Sequence, residues 1–95
     1  MSSSSYQEPV AELSDEARDM HRAIVSLTEE LDAIDSYNQR AALCKDEKLK
    51  SILVHNRDEE KEHAAMLLEW IQRKDLKFSK KMKEYLFSEI SIEQH

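Results

Sequence analysis

Apolar residues recur along the first half of the chain as Ala17, Met20, Ile24, Leu27, Leu31 and Ile34. The spacing alternates between three and four, the period of a helix with one buried stripe. Leu13-Ser14-Asp15-Glu16 supplies a start: Ser14 can cap, acids fill the first turn, and Leu13 can staple. The pattern predicts one helix of about 28 residues, roughly 42 Å long, ending near Ala42–Lys45. Asp46 can cap a second helix, with Glu47 in its first turn. That helix runs to about Lys74 through Leu49, Ile52, Leu53, Met66, Leu67, Trp70 and Ile71. A shorter segment, SKKMKEYLFSEI, carries an apolar face of Met82, Tyr85, Leu86 and Ile90, with Ser79 as its expected cap. Residues 1–12, serine-rich and then polar around Pro9, are expected to be disordered. Residues 13–90 form one helical domain in this reading, and 91–95 a tail.

The connection between the two long helices is short, so they are expected to pack antiparallel as a hairpin. A hairpin leaves part of its apolar surface uncovered, and 95 residues arranged this way bury too little to offset chain entropy. Pairing with a second copy repairs this. The expected fold is therefore all-α: a two-helix hairpin plus a short C-terminal helix, dimerising into a ferritin-like four-helix bundle.

Composition agrees with helix. There is no Gly, Pro9 is the sole proline, and 36% of residues are charged. No long uncharged apolar run exists, so no membrane span is expected. The net charge of −6 disfavours nucleic acid as a partner. Cys44 is alone, which excludes an internal disulfide and fits a reducing compartment. The start, MSSSSYQEPVAEL, lacks the basic region and apolar core of a signal peptide, so a cytoplasmic location is expected.

The apolar seam of the second helix breaks at its middle. After Leu49 and Leu53, the next inward positions are Asn56, Glu60 and His63, and Leu67 and Trp70 resume the pattern. The first helix carries a matching stripe of Ala23, Leu27, Glu30, Ile34, Tyr37 and Ala41. In an antiparallel hairpin Glu30 and Glu60 fall at similar heights. Buried carboxylates must be neutralised, paired or bound to metal. Di-iron carboxylate bundles take a Glu from each of two helices and a Glu-x-x-His from each of two others. This chain holds one of each, Glu30 and Glu60-x-x-His63, so a second copy completes the set. Two Glu30 and two Glu60 balance two Fe(II) ions with neutral imidazoles, and Tyr37 can ligate weakly or donate a hydrogen bond. Taken singly, Glu60 could instead pair with Lys61 or Arg57, and His63 could be a satisfied core histidine. A second acidic face carries His55, Glu59 and Glu62, with Glu29 and Asp32 from the first helix. It is either a solvated surface or a cation-attracting vestibule.

HRAIV (21–25), EELDAIDSYNQR (29–40), HNRDEEKEHAAM (55–66), LEW (68–70) and YLFSE (85–89) resemble the encapsulated ferritins, iron-oxidising cargo of bacterial encapsulin compartments. The resemblance implies a ferroxidase centre across a dimer interface, with Glu30, Glu60, His63 and nearby Tyr37. It implies a ring of dimers, typically a decamer, inside an encapsulin shell that stores the mineral. It also implies an outer inlet near Glu29, Asp32, His55, Glu59 and Glu62, with calcium as a candidate occupant. Ser36 stands where the family usually has Trp, and Asp32 where Glu is common, so a looser outer site is expected. The segment IEQH (92–95) is not the Gly- and Leu-containing tail that docks such cargo, so either the sequence is truncated or another loading route is expected. The alternatives are a non-catalytic metal-binding helical oligomer and a peroxide-reducing di-iron protein like rubrerythrin. The single cysteine does not supply the latter's cysteine cluster.

Overall fold

The computed structural model describes residues 6–94. Two long helices, α1 (Asp15–Leu43) and α2 (Glu47–Lys74), are followed by a short α3 (Leu76–Tyr85). Single 3-10 turns lie at Val10–Glu12 and Ile92–Gln94, and no strand occurs among the described residues.

The helix starts follow local chemistry. Ser14 Oγ accepts from the Ala17 N–H at 3.1 Å, and Asp15 and Glu16 sit in the first turn. Asp46 Oδ1 accepts from the Leu49 N–H at 2.8 Å. The third cap differs from expectation. Asp75, not Ser79, starts α3, and its Oδ1 accepts from the Phe78 N–H at 2.9 Å. Ser79 is instead buried inside the helix, where its hydroxyl donates to Gln72 Oε1 at 2.7 Å and ties α3 to α2. Gln72 Nε2 in turn donates to Glu69 Oε2, which also receives Arg73 Nε. The segment expected to run helically to Ile90 stops at Tyr85. Leu86 and Phe87 then turn the chain, with Phe87 at φ 60°.

The N-terminal stretch differs in part as well. Residues 1–5 lie outside the described residues, but Tyr6 stacks on His21 at 3.9 Å between ring centroids. Arg18 donates from Nε and Nη2 to the Val10 carbonyl at 3.1 and 2.8 Å. These contacts lay residues 6–13 along the start of α1.

The protomer measures 50 × 39 × 20 Å. Among the described residues the buried apolar ones are few, Ala23, Ala41, Ala64 and Ile71, and three of the four are alanines. Small side chains on the α1–α2 seam let the two backbones approach; of the larger apolar ones, Leu27, Ile34, Leu53 and Leu67 are half-buried, while Ile24, Leu31, Ile52 and Met66 are exposed. They fall on two flanks. On one, Ile24 and Leu31 lie about 100–120° around α1 from Glu30, beside Asn38, whose Oδ1 accepts from Arg57 Nη1 across the seam. On the other, Ile52, Met66 and Trp70 share a face of α2 with His63 by helical periodicity. There Leu67 and Trp70 line one groove with Asp19, Arg22 and Ser26 of α1.

Candidate metal centre

Near the middle of the hairpin the seam turns polar. Glu30 projects from α1, and Glu60 and His63 from successive turns of α2. An i, i+3 pair lies on one helix face, and the antiparallel register brings Glu30 to the same height. His63 Nδ1 lies 3.5 Å from Glu30 Oε2 and 3.6 Å from Glu60 Oε2. One ligand atom from each of the three residues falls within 4.8 Å of the other two. This is the one such His, Cys, Asp and Glu group among the described residues.

Burial is uneven across the group. The side chains of Glu30 and Glu60 are 23% and 24% exposed, and His63 is 45% exposed. The carboxylates therefore point into the seam while the imidazole reaches the flank. Glu30 Oε2 is buried and accepts no hydrogen bond, and the 3.5 Å approach of His63 is too long to be one. A buried carboxylate oxygen without a donor costs free energy unless a cation meets it. Two carboxylate oxygens and one imidazole nitrogen suit iron or zinc, and three donors leave coordination positions open.

The other candidate residues are placed as follows. Tyr37 is half-buried on the Glu30 face of α1, two turns on, with the Arg40 guanidinium 5.4 Å from its ring centroid. Asn56, the third polar residue of the broken seam, is also half-buried. Of the outer set, His55 Nε2 and Glu59 Oε1 approach to 3.3 Å. Glu29, Asp32 and Glu62 are exposed, and Glu62 borders a groove with Met66 and Trp70. Within one chain these five residues do not converge as the inner three do. Sequence reasoning missed the polar chain Ser79–Gln72–Glu69–Arg73, whose members looked like ordinary surface and cap residues. Arg73 first, then Gln72, holds the Glu69 carboxyl below its usual range.

The fold and the group together define a class: a helical hairpin that brings two carboxylates and a histidine together at mid-height, a set that could hold a metal ion. Within that class, the chain belongs to the encapsulated ferritin-like (EncFtn-like) family, whose profile matches residues 5–89. It is similar to an encapsulated ferritin-like protein of Rhodospirillum rubrum, at 53% identity over 93% of this chain and 63% of that protein. A ferritin-like protein of Thermotoga maritima is 49% identical over 92% of this chain and 76% of its own length. A protein of Nitrosomonas europaea known from its crystal structure superposes with a TM-score of 0.90. It is 67% identical, covering 95% of this chain and 98% of its own. The chain thus spans less than two thirds of the length of the Rhodospirillum relative.

Proposed function

We propose that the protein is a ferroxidase, oxidising Fe(II) with O₂ at a di-iron site completed by a second copy across a two-fold axis. The observation that carries this reading is the convergence of Glu30, Glu60 and His63 around a buried Glu30 oxygen with no donor. Family membership points the same way, because the relatives are named as ferritin-like proteins.

The half site divides its labour by residue. Glu30 and Glu60 supply anionic oxygens that hold Fe(II) and hold Fe(III) more tightly, which favours loss of an electron. His63 adds a neutral nitrogen and marks the side that meets the partner chain. Two copies give four carboxylates for two ferrous ions, so the filled pair is electrically balanced before oxidation. Each iron gives one electron: two Fe(II), one O₂ and two protons yield two Fe(III) and one H₂O₂. Tyr37 acts as a weak ligand or hydrogen-bond donor beside the site. His55, Glu59, Glu62, Glu29 and Asp32 form an acidic approach that concentrates cations, with calcium as a competing occupant. The assembled form in this reading is a ring of dimers, typically a decamer. It delivers Fe(III) to an encapsulin shell in the cytoplasm.

The test is aerobic Fe(II) oxidation with simultaneous O₂ measurement and circular dichroism. Wild type should consume about one O₂ per two Fe(II), as the proposed reaction requires. Glu30→Ala, Glu60→Ala and His63→Ala should each lose most of the rate while keeping helix content, since each change removes two ligands per site. Wild-type oxidation by a folded Glu60→Ala or His63→Ala variant would place the chemistry elsewhere. The same three donors also suit zinc, and a non-catalytic metal-binding oligomer is the second reading. Tight metal binding without O₂ consumption would select it.

A further inference from the structure

We propose that Asn38 and Asp58 are positioning residues that hold the Arg57 guanidinium off Glu60, so that the two carboxylates of the metal centre stay open to a divalent cation. The role rests on the reading above in one respect, that Glu30, Glu60 and His63 take a metal. Arg57 lies three residues before Glu60, a spacing at which side chains on a helix meet. Around the α2 axis His63 falls about 60° to one side of Glu60, and Arg57 about 60° to the other. Glu60 thus has an imidazole and a guanidinium as neighbours on opposite sides. Among the described residues its one ion-pair approach is to the imidazole, at 3.6 Å.

Arg57 is turned the other way. Its Nε donates to Asp58 Oδ1 at 3.2 Å, and its Nη1 donates to Asn38 Oδ1 of α1 at 3.4 Å. Asp58 lies about 100° further round α2, away from Glu60. The same Asp58 oxygen also draws Lys61, whose Nζ comes within 3.8 Å. One aspartate therefore gathers both cations that flank Glu60 in the sequence. The Arg57 side chain is 25% exposed, close to the 24% of Glu60, so neither group stands in open water. Glu30 Oε2, in the same acidic group, is buried without a donor. A guanidinium carries five N–H donors in a fork that matches carboxylates. Without its two anchors, Arg57 closes on this acidic pair.

The consequence is competition. An arginine seated on Glu60 must be displaced before Fe(II) can bind, and the apparent dissociation constant rises by the inverse of the fraction of open sites. Full-length protein titrated anaerobically with Fe(II) in a calorimeter reads this. Asn38→Ala combined with Asp58→Asn should weaken binding roughly fivefold, the scale of a partly exposed ion pair. Adding Arg57→Gln should return the affinity to that of wild type. Adding Lys61→Gln instead restores the same net charge but should leave binding weak, because adjacent residues on a helix do not face each other.

A second readout needs no metal. In EDTA, Arg57→Gln and Glu60→Gln should shift the melting midpoint additively in the wild-type background. In the Asn38→Ala, Asp58→Asn background the two shifts should be non-additive, because the pair now exists. Unchanged affinity in the double variant overturns the proposal, as does additivity in both backgrounds. So does a failure of Arg57→Gln to restore binding, which would mark plain structural damage, or equal restoration by Lys61→Gln, which would mark a diffuse charge effect. Wild type that binds no Fe(II) overturns the metal reading and this role with it. Wild type that binds while every variant matches it overturns this role alone.

Discussion

Glu30 shows why part of the site is legible one residue at a time and part is not. A glutamate on an otherwise apolar stripe stands out in the sequence, and so do Glu60 and His63 where the second seam breaks. Periodicity alone sets them at one height. It cannot show that Glu30 Oε2 ends without a donor, because that depends on rotamers chosen by neighbours across the seam. Nor does it separate Ser79 from Asp75 as a cap, since both residue types accept from helix N–H groups. The unpaired oxygen makes a prediction. Glu30→Gln keeps the volume, removes a buried charge and adds a donor toward Glu60. Metal-free Glu30→Gln should be more stable than wild type by about 1 kcal/mol or more, raising its midpoint by several degrees. Anaerobic Fe(II) should raise the melting midpoint of wild type strongly and of the variant little. Differential scanning calorimetry with and without metal reads both effects. A lower midpoint in the metal-free variant would mean that the carboxylate is already held by a protein partner.

At the scale of elements, long periodic helices with Ser14 and Asp46 at their starts were readable because cap and stripe agree. The C-terminal segment was harder, since KDLKFSKKMK offers two caps and α3 is short. The winner is the one whose rival is used elsewhere: Ser79 is spent on Gln72 across the α2–α3 elbow. Asp75→Ala should therefore cost about 1 kcal/mol, seen as faster amide exchange in α3 with α1 unchanged. Acid should loosen the same elbow. Arg73 holds the Glu69 carboxyl below its unfolded value, so its contribution is present above the unfolded pKa. It is lost as pH falls through the lower folded value. Amide protection factors across α3, which allow for the intrinsic slowing of exchange in acid, should fall in that acidic window and not between pH 6 and 8, where both states are ionised. The outer faces of α1 and α2 carry a further prediction. Glu29→Ala, Asp32→Ala and Glu62→Ala together should slow iron oxidation most at low ionic strength, where a focusing field reaches farthest. A stopped-flow rate unchanged at every salt concentration would make this face plain solvated surface.

For the whole molecule, the expectation of self-association rested on counting which apolar residues a hairpin can cover, and the structure sharpens it. Ile24, Leu31, Ile52 and Met66 are about half exposed or more in the protomer. A lone chain also leaves Leu43, Leu76 and Phe87 in water. Light scattering should return a dimer or larger species wherever circular dichroism shows folded helices, and no folded 11.2 kDa species at micromolar concentration. A stable helical monomer under those conditions would contradict the packing argument. The same thin core has a kinetic consequence. With Ile71 the one large side chain fully buried among the described residues, collapse of a lone chain gains little burial. Gaining structure and meeting a partner then become one event, and refolding acquires a second-order step. Its half-time should lengthen as the chain is diluted, so a newly made copy waits in an open state for a time set by how many others are nearby.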